Sequence, residues 1–264
     1  MPVKTVILCG GQGTRIRDVA EDIPKPMINI GERPVLWHIM KTYAQFSVKD
    51  FVLCLGHRGW VIKEYFLNYR AISSDATITL GSRNSVEFHN NPSEDWRVVM
   101  AETGEQTQTG GRIWRVKHYL EDSEIFCVTY GDGVADIDIN ELIAFHKSHG
   151  RVGTVTGVRP PGRFGVMGTD GRSGVPVVHS FEEKPQADKG WINGGFFVFD
   201  HRLWDYMSDD PGLIFEQEPL SNLAREGQLV MYEHKGFWQP MDTYREWRIL
   251  NELWQSGQAP WKVW

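Results

Sequence analysis

The chain has no run approaching the ~20 apolar residues needed to span a bilayer, no low-complexity linker and no repeat of fixed period. A membrane span, a solenoid and a fibrous chain are therefore not expected. A hydrophobic share of 41% with 23% charged residues belongs to an ordinary globular protein. Positive charge is in deficit: 28 Lys and Arg against 34 Asp and Glu leave a net charge of −6, so a general nucleic-acid-binding face is not expected either. Cysteine is scarce. Cys9, Cys54 and Cys127 each sit in an apolar run, their number is odd and their spacing matches no zinc pattern, so they read as buried free thiols in a reducing compartment. The apolar start is short and runs straight into glycines, so no secretory leader is expected and the reading is a soluble cytoplasmic protein.

What is present is an alternation of short apolar runs with longer segments of helical period. VKTVILC (3–9), FVLCL (51–55), RVVMA (97–101) and IFCVTY (125–130) read as buried strands. Segments 34–47, 59–69, 111–120 and 140–148 read as helices; in the first, Val35, Leu36, Ile39, Met40, Tyr43 and Phe46 share one stripe. Strand alternating with helix predicts parallel strands joined by crossovers, a doubly wound α/β sheet over about residues 1–150. After about Arg151, GTVTGV, VPVVHSFEEK, WINGGFFVFD and QLVMYEHK are strand-like with fewer helices between them. The sheet is expected to continue there as a mixed, β-rich region that closes over the crevice. At 264 residues the chain can bury a sizeable core, and it is expected to form one domain, 1–264, with halves of about 1–150 and 151–264.

The stretch LCGGQGTRIRDVAEDIPKPM, from Leu8 to Met27, concentrates bare backbone and fixed positive charge. Gly10, Gly11 and Gly13 let amides approach a ligand with no Cβ in the way, and a helix opening near Thr14 would add its N-terminal field. Arg15 can hold a phosphate bidentately, whereas Lys25 is a point charge on backbone stiffened by Pro24 and Pro26. TYGDG (129–133) also follows a strand, so the two stretches are expected to share the crevice at the carboxyl ends of the strands. Two familiar motifs are excluded. No lysine followed by Ser or Thr closes a Walker loop, and Ile16 stands where a dinucleotide fingerprint needs its third glycine. Local alternatives stay open: a glycine turn with solvated cations, an Asp-Gly turn at Asp132, a helix N-cap at Asp242 within MDTYRE, surface pairing of Lys184 with Glu182 and Glu183, and a tight turn at Asn193 and Gly194.

GGQGTR (10–15) with PKPM (24–27), then YGDGV (130–134), FEEKP (181–185), WINGGFFVF (191–199) and FWQPMDT (237–243), in that order, resemble the signature elements of the sugar-phosphate nucleotidyltransferases. The resemblance spans nearly the whole chain. It implies a Rossmann-like nucleotidyltransferase fold and Mg²⁺-dependent attack of a sugar 1-phosphate on a nucleoside triphosphate. Position by position it implies that Leu8, Gly10, Gly11, Gly13, Thr14, Arg15, Lys25 and Gly131 hold the nucleotide, and that Asp132 and Asp242 bind the metal. Arg15, Lys25 and Asp132 would be the catalytic groups, and Gly165, Glu183, Lys184, Asn193 and Gly194 would hold the sugar phosphate. TGGR (109–112), PPGRFG (160–165), FWQPMDT and APWKVW (259–264) are similar to the branch that joins CTP to α-D-glucose 1-phosphate, giving CDP-glucose for bacterial surface polysaccharide. That branch would put Thr109, Gly110, Gly111 and Arg112 beside the base. Uridylyl or thymidylyl transfer, a different sugar phosphate, and a non-catalytic sensor of sugar nucleotides remain open at this point. GSRNSVEFHNNPSED (81–95) matches least. Trp261 and Trp264 predict a tail docked on its own body or on another subunit, and a homo-oligomer is expected.

Overall fold

Successive residues of a strand point to opposite faces of its sheet, and the apolar runs use both faces. Val6, Leu8, Val52, Cys54, Phe126, Val128, Phe197 and Phe199 enter one core, while Ile7, Leu53, Leu55, Cys127, Phe196 and Val198 enter the other. Strands so covered read as continuous hydrophobic runs rather than alternating ones. The computed structural model describes residues 3–11, 23–82, 84–90, 94–159, 166–169, 178–182 and 190–264, with backbone only for 166–169 and 178–182.

Seven strands, β1 (Lys4–Leu8), β2 (Asp50–Leu55), β3 (Arg97–Glu102), β4 (Ile125–Tyr130), β5 (Gly153–Val158), β6 (Ile192–Asp200) and β7 (Leu229–Glu233), make one sheet in the order β7-β5-β6-β4-β1-β2-β3. β1 lies parallel to both β2 and β4, and β2 parallel to β3. β6 is antiparallel to β4 and to β5, and β5 and β7 are parallel. The sheet is thus mixed and mostly parallel, as the sequence pattern predicts, and it draws strands from both halves of the chain.

The helices are α1 (Val35–Gln45), α2 (Gly59–Leu67), α3 (Tyr69–Ser73), α4 (Thr109–Arg115), α5 (Ile139–His149), α6 (Glu218–Arg225) and α7 (Tyr244–Gln255). α1 and α5 bury Val35, Leu36, Ile39, Met40, Tyr43, Ile139 and Leu142 in one core; Ile113 of α4 and Leu220 and Leu223 of α6 fill the other. Caps set the ends of α5: the Asp138 side chain accepts the Glu141 N–H, and Gly150 closes the helix at φ +64°. Three expectations need correction. The helix expected over 59–69 breaks at Asn68 into α2 and α3. The one expected over 111–120 starts at Thr109 and gives way to a 3₁₀ turn at Lys117–Tyr119, because the Gly110 and Gly111 N–H groups both reach the Leu213 carbonyl and draw the first turn back. The strand within VPVVHSFEEK, Val178–Glu182, pairs with Val166–Thr169 in a separate ribbon rather than in the main sheet. The three cysteines are buried and free, and burial pushes the Cys54 and Cys127 thiols up to about 12.

The C-terminal tail docks on its own chain. Trp261 is fully buried between Phe237 and Trp254, and its Nε1–H donates to His38 Nδ1 at 3.4 Å. His38, also fully buried, has its Nε2 2.9 Å from the Ile30 carbonyl. A carbonyl on one ring nitrogen and a donor on the other require the neutral Nε2–H tautomer. Burial accordingly lowers His38 to about 4. Its folded value lies below the unfolded value of about 6.5, so the unfolded chain binds more protons between the two. The contribution is complete above pH 6.5 and is lost as pH falls through the folded value, on the order of 3 kcal/mol in all. Urea unfolding at pH 7.0 and pH 4.5 should reveal a stability loss on acidification that is clearly smaller in His38→Gln than in the wild type. An equal loss in both would remove His38 as its source.

Candidate active site

β1 and β4 are parallel neighbours with Leu8 paired to Tyr130, so the chain leaves both at the same end of the sheet. The Gly131 N–H donates to the Leu8 carbonyl at 3.1 Å, which stitches the two exits together. A Cβ on Gly131 would stand 2.8 Å from that carbonyl and 2.9 Å from Pro26 Cγ, so only glycine fits. Pro26 lies in a single 3₁₀ turn, Lys25–Met27, entered through Pro24 and closed by the Ile28 N–H on the Lys25 carbonyl. The PKP sequence therefore braces the Lys25 backbone against the exit of β4.

The third component arrives from the far end of the sequence. Trp238–Pro240 pairs antiparallel with Gly133–Ala135, and the Met241 N–H donates to the Asp132 carbonyl at 2.8 Å. This ribbon brings Asp242 beside Asp132. Behind it, Thr243 caps α7 in a complete capping box with Glu246, whose carboxylate also receives the Asp242 N–H. The N-cap allowed for Asp242 from sequence is thus taken by Thr243, and the Asp242 carboxylate points elsewhere.

It points at Lys25. The ammonium lies 2.5 Å from Asp132 Oδ2 and is in contact with Asp242 Oδ1 as well. The Lys25 side chain is 12% exposed and each carboxylate 30%. Burial works against the lysine charge, but the two carboxylates outweigh it and hold its pKa above the ordinary lysine value. Two carboxylates meeting at one cation form an all-oxygen, hard-donor pair of the kind that suits a divalent ion completing its shell with phosphate oxygens and water. Among the described residues no group of three or more His, Cys, Asp or Glu gathers for a metal, so this pair is the described candidate.

A cavity of about 480 Å³ opens beside them, lined by Tyr130, Asp132, Asn193, Gly194, Trp238 and Asp242 among others. Asn193-Gly194-Gly195 forms its far wall, where the pairing of β6 with β5 shifts register. Gly195 takes φ +80°, and a Cβ there would lie 2.4 Å from the Tyr130 ring. Trp238 Nε1–H donates to the Gly194 carbonyl at 2.7 Å, closing the wall onto the ribbon. A second hollow of about 550 Å³, at Arg202, Tyr206, Glu218 and Gln228, holds none of the residues singled out from sequence.

TGGR lies at the start of α4. Arg112 is 4% exposed, and its guanidinium donates to the carbonyls of Gly10, Leu55, Gly104 and Glu105 and to the Thr103 hydroxyl. It ties together the chain leaving β1, β2 and β3. Gly110 and Gly111 pack under residues 210–213, where a Cβ would stand within 2.8 Å of a backbone oxygen at either position. Thr109 donates to Glu216 Oε2 at 2.6 Å. Leu8 and Gly10 are buried and Gly11 is exposed at the mouth of the first loop. Gly13, Thr14, Arg15, Gly165, Glu183 and Lys184 lie outside the described residues. Of the rest, Asp132, Asn193, Gly194 and Asp242 line one cavity, Lys25 contacts both of its aspartates, and Gly131 directly precedes Asp132. Tyr130 and Glu216 were not singled out from sequence. Tyr130 sits inside a quoted strand, and Glu216, in a loop without a motif, offers no signal.

Residues 4–243 match the nucleotidyl transferase family model. The chain is 50% identical to the glucose-1-phosphate cytidylyltransferase of Salmonella typhimurium, over 99% of this chain and all of that protein. It is 44% identical, with the same coverage, to a protein described as probable glucose-1-phosphate cytidylyltransferase in Bacillus subtilis. In fold it is similar to HddC from Yersinia pseudotuberculosis, with a TM-score of 0.65 at 23% identity over 96% of this chain and 99% of that one. It is similar too to a UDP-glucose pyrophosphorylase solved with UDP-glucose, with a TM-score of 0.66 at 15% identity over 97% and 100%. A match to the family model over residues 4–243, two relatives matched over their whole length and a similar fold make the chain a member of the nucleotidyl transferase family.

Proposed function

We propose that the protein transfers the cytidylyl group of CTP to α-D-glucose 1-phosphate, giving CDP-glucose and pyrophosphate. The observation that carries this reading is the convergence of Lys25 with Asp132 and Asp242, the two aspartates that line the cavity. The choice of CTP and glucose 1-phosphate rests on the two relatives described above. An oxygen of the sugar phosphate forms a bond to the α-phosphorus as the bond to pyrophosphate breaks in line. The attacking phosphate is already ionised at neutral pH, so no general base is needed, and the protein's task is alignment and charge neutralisation.

Enzymes of this family use a divalent metal, and we take it to be Mg²⁺, held by Asp132 and Asp242. When bound, it neutralises phosphate charge and orients the triphosphate. Before substrates arrive, Lys25 keeps the two aspartates together as their counter-ion. With substrates bound, its ammonium neutralises the α-phosphate, where negative charge grows in the transition state. Arg15 steadies the departing pyrophosphate, with Leu8, Gly10, Gly11, Gly13, Thr14 and Gly131 forming the triphosphate cradle. Arg112 stiffens that cradle through the Gly10 carbonyl, while Thr109, Gly110 and Gly111 flank the base. Lys184 anchors the sugar phosphate, and Gly165, Glu183, Asn193 and Gly194 shape the sugar pocket. The same proposal includes a homo-oligomer: Leu67, Ile72, Ile78, Leu80 and Val86 are exposed on α2, on α3 and on or next to the two-stranded ribbon of Asp75–Thr79 and Ser85–His89, and a two-stranded ribbon is marginal alone.

Pyrophosphate release should require CTP, glucose 1-phosphate and Mg²⁺ together. Stronger turnover with UTP or dTTP would overturn the choice of nucleotide. Asp132→Asn and Asp242→Asn should each cut turnover by about a hundredfold or more while leaving the melting temperature within a few degrees; loss of activity only alongside unfolding would return both residues to a structural role. Lys25→Ala should lower kcat by about a hundredfold with a smaller change in the KM for CTP, whereas a pure KM effect would mean that the lysine binds substrate and transition state alike. Sedimentation velocity at micromolar concentration should give a species larger than the 30.3 kDa chain, and a monomer throughout would end the oligomer proposal.

A further inference from the structure

A chain of hydrogen bonds runs from α4 through Glu216 to Tyr130 and Asn193 on the cavity wall. Thr109 Oγ1 donates to Glu216 Oε2 and the Tyr130 hydroxyl donates to Glu216 Oε1, both at 2.6 Å. Asn193 Nδ2 donates to the Tyr130 oxygen at 3.3 Å, and Asn193 Oδ1 accepts the Gly195 N–H at 2.8 Å. The direction of this chain follows from its middle. A carboxylate only accepts, so the single phenolic proton of Tyr130 is committed to Glu216. The Tyr130 oxygen is then left as an acceptor, which dictates that the Asn193 amide turns its NH₂ toward it and its carbonyl toward Gly195. Each end of the amide keeps one unused valence, an N–H and a lone pair. Asn193 is exposed on the cavity wall, so the amide presents a donor and an acceptor side by side, the pattern that meets a sugar hydroxyl.

We infer that Glu216 is a positioning residue: acting through Tyr130, it locks the orientation of the Asn193 amide and thereby sets the recognition of the sugar 1-phosphate. This inference rests on the proposed reaction for the identity of the sugar phosphate, but the lock itself is a property of the apoprotein. Two further contacts make it rigid. Thr109 Oγ1 accepts the Phe215 N–H at 2.9 Å, which fixes the backbone beside Glu216. Gly195 lies flat on the Tyr130 ring, where no Cβ fits. The side chain that does the locking is carried on a loop held to α4 by the Gln108, Gly110 and Gly111 N–H groups, which reach the carbonyls of Pro211 and Leu213. In Glu216→Gln, one oxygen can still serve Thr109. The new NH₂ then faces Tyr130, the phenolic proton turns toward Asn193, and the amide loses its fixed sense.

The test compares wild type, Glu216→Gln, Tyr130→Phe and the double variant by steady-state kinetics and by thermal unfolding. Each single variant should raise the KM for glucose 1-phosphate by about tenfold, the scale of one misdirected hydrogen bond, with a clearly smaller change in the KM for CTP. The double variant should be no worse than either single one, because both cut the same chain. Its melting temperature should likewise fall by less than the sum of the single shifts. If the variants lower the melting temperature but leave the KM for glucose 1-phosphate unchanged, Glu216 is a structural brace and the inference is overturned. If the wild type makes no product from any nucleotide and sugar phosphate, the proposed reaction fails. Non-additive melting shifts would then still establish the lock, and additive shifts would refute it.

Discussion

One ammonium group between two carboxylates is the interaction around which the site is built. Asp132 and Asp242 lie 107 and 217 residues from Lys25 along the chain. Two partly buried carboxylates at close range repel unless a cation stands between them. Several otherwise unrelated features exist to hold that cation and its partners in place. Pro24 and Pro26 restrict the backbone at Lys25, and Pro26 leans on Gly131, where no side chain is tolerated. The ribbon between Gly133–Ala135 and Trp238–Pro240 sets Asp242 against Asp132. The capping box of α7 receives the Asp242 N–H, and Phe237, at the start of the same segment, stacks on the buried Trp261 of the tail. Trp261, remote from any chemistry, therefore supports the segment that carries one of the two carboxylates.

Much of this was legible in the sequence where the cause is local. Glycines after strands, prolines around a lysine and an aspartate after an apolar run each announce their own geometry. The strands β1, β2, β3 and β4 are marked by short β-branched runs buried on both faces. What stayed hidden has its cause elsewhere in the chain. The resemblance puts Arg112 beside the base; its guanidinium is engaged by carbonyls from the exits of three strands, and nothing within TGGR itself reveals those acceptors. Glu216 meets Tyr130 across 86 residues and Thr109 across 107, from a loop with no motif. The ribbon of Asp75–Thr79 and Ser85–His89 is exposed along nearly its whole length, so its apolar residues do not point to a core and the usual alternation carries no information.

Where two sequence readings competed, the structure often satisfies both. In place of the turn allowed for Asn193 and Gly194 there is an irregularity inside β6, where the pairing with β5 shifts register, Gly195 has a positive φ and the Asn193 side-chain carbonyl accepts its N–H. That same irregularity places an amide on the cavity wall. Asp132 likewise precedes a glycine at a turn and also reaches Lys25. At Asp242 the two readings separate instead. The cap moved one residue along to Thr243, and a side chain that would have been consumed by the helix is turned to the cavity.

The distribution of titrating groups follows from the same division of labour. The chain has nine histidines, and among the described residues none lines the cavity. His38 and His146 are instead buried in the structure, where burial lowers both to about 4 and the neutral rings serve as hydrogen-bond partners. Displacement at phosphorus by an already ionised phosphate asks for fixed charge rather than for a group that gains and loses protons near neutrality. Lys25, held cationic by two carboxylates, keeps its charge across that range. On the proposed reaction the sensitivity of this enzyme to mild acid therefore resides in its cores and its docked tail, where the buried rings of His146 and His38 must take up protons as the chain unfolds.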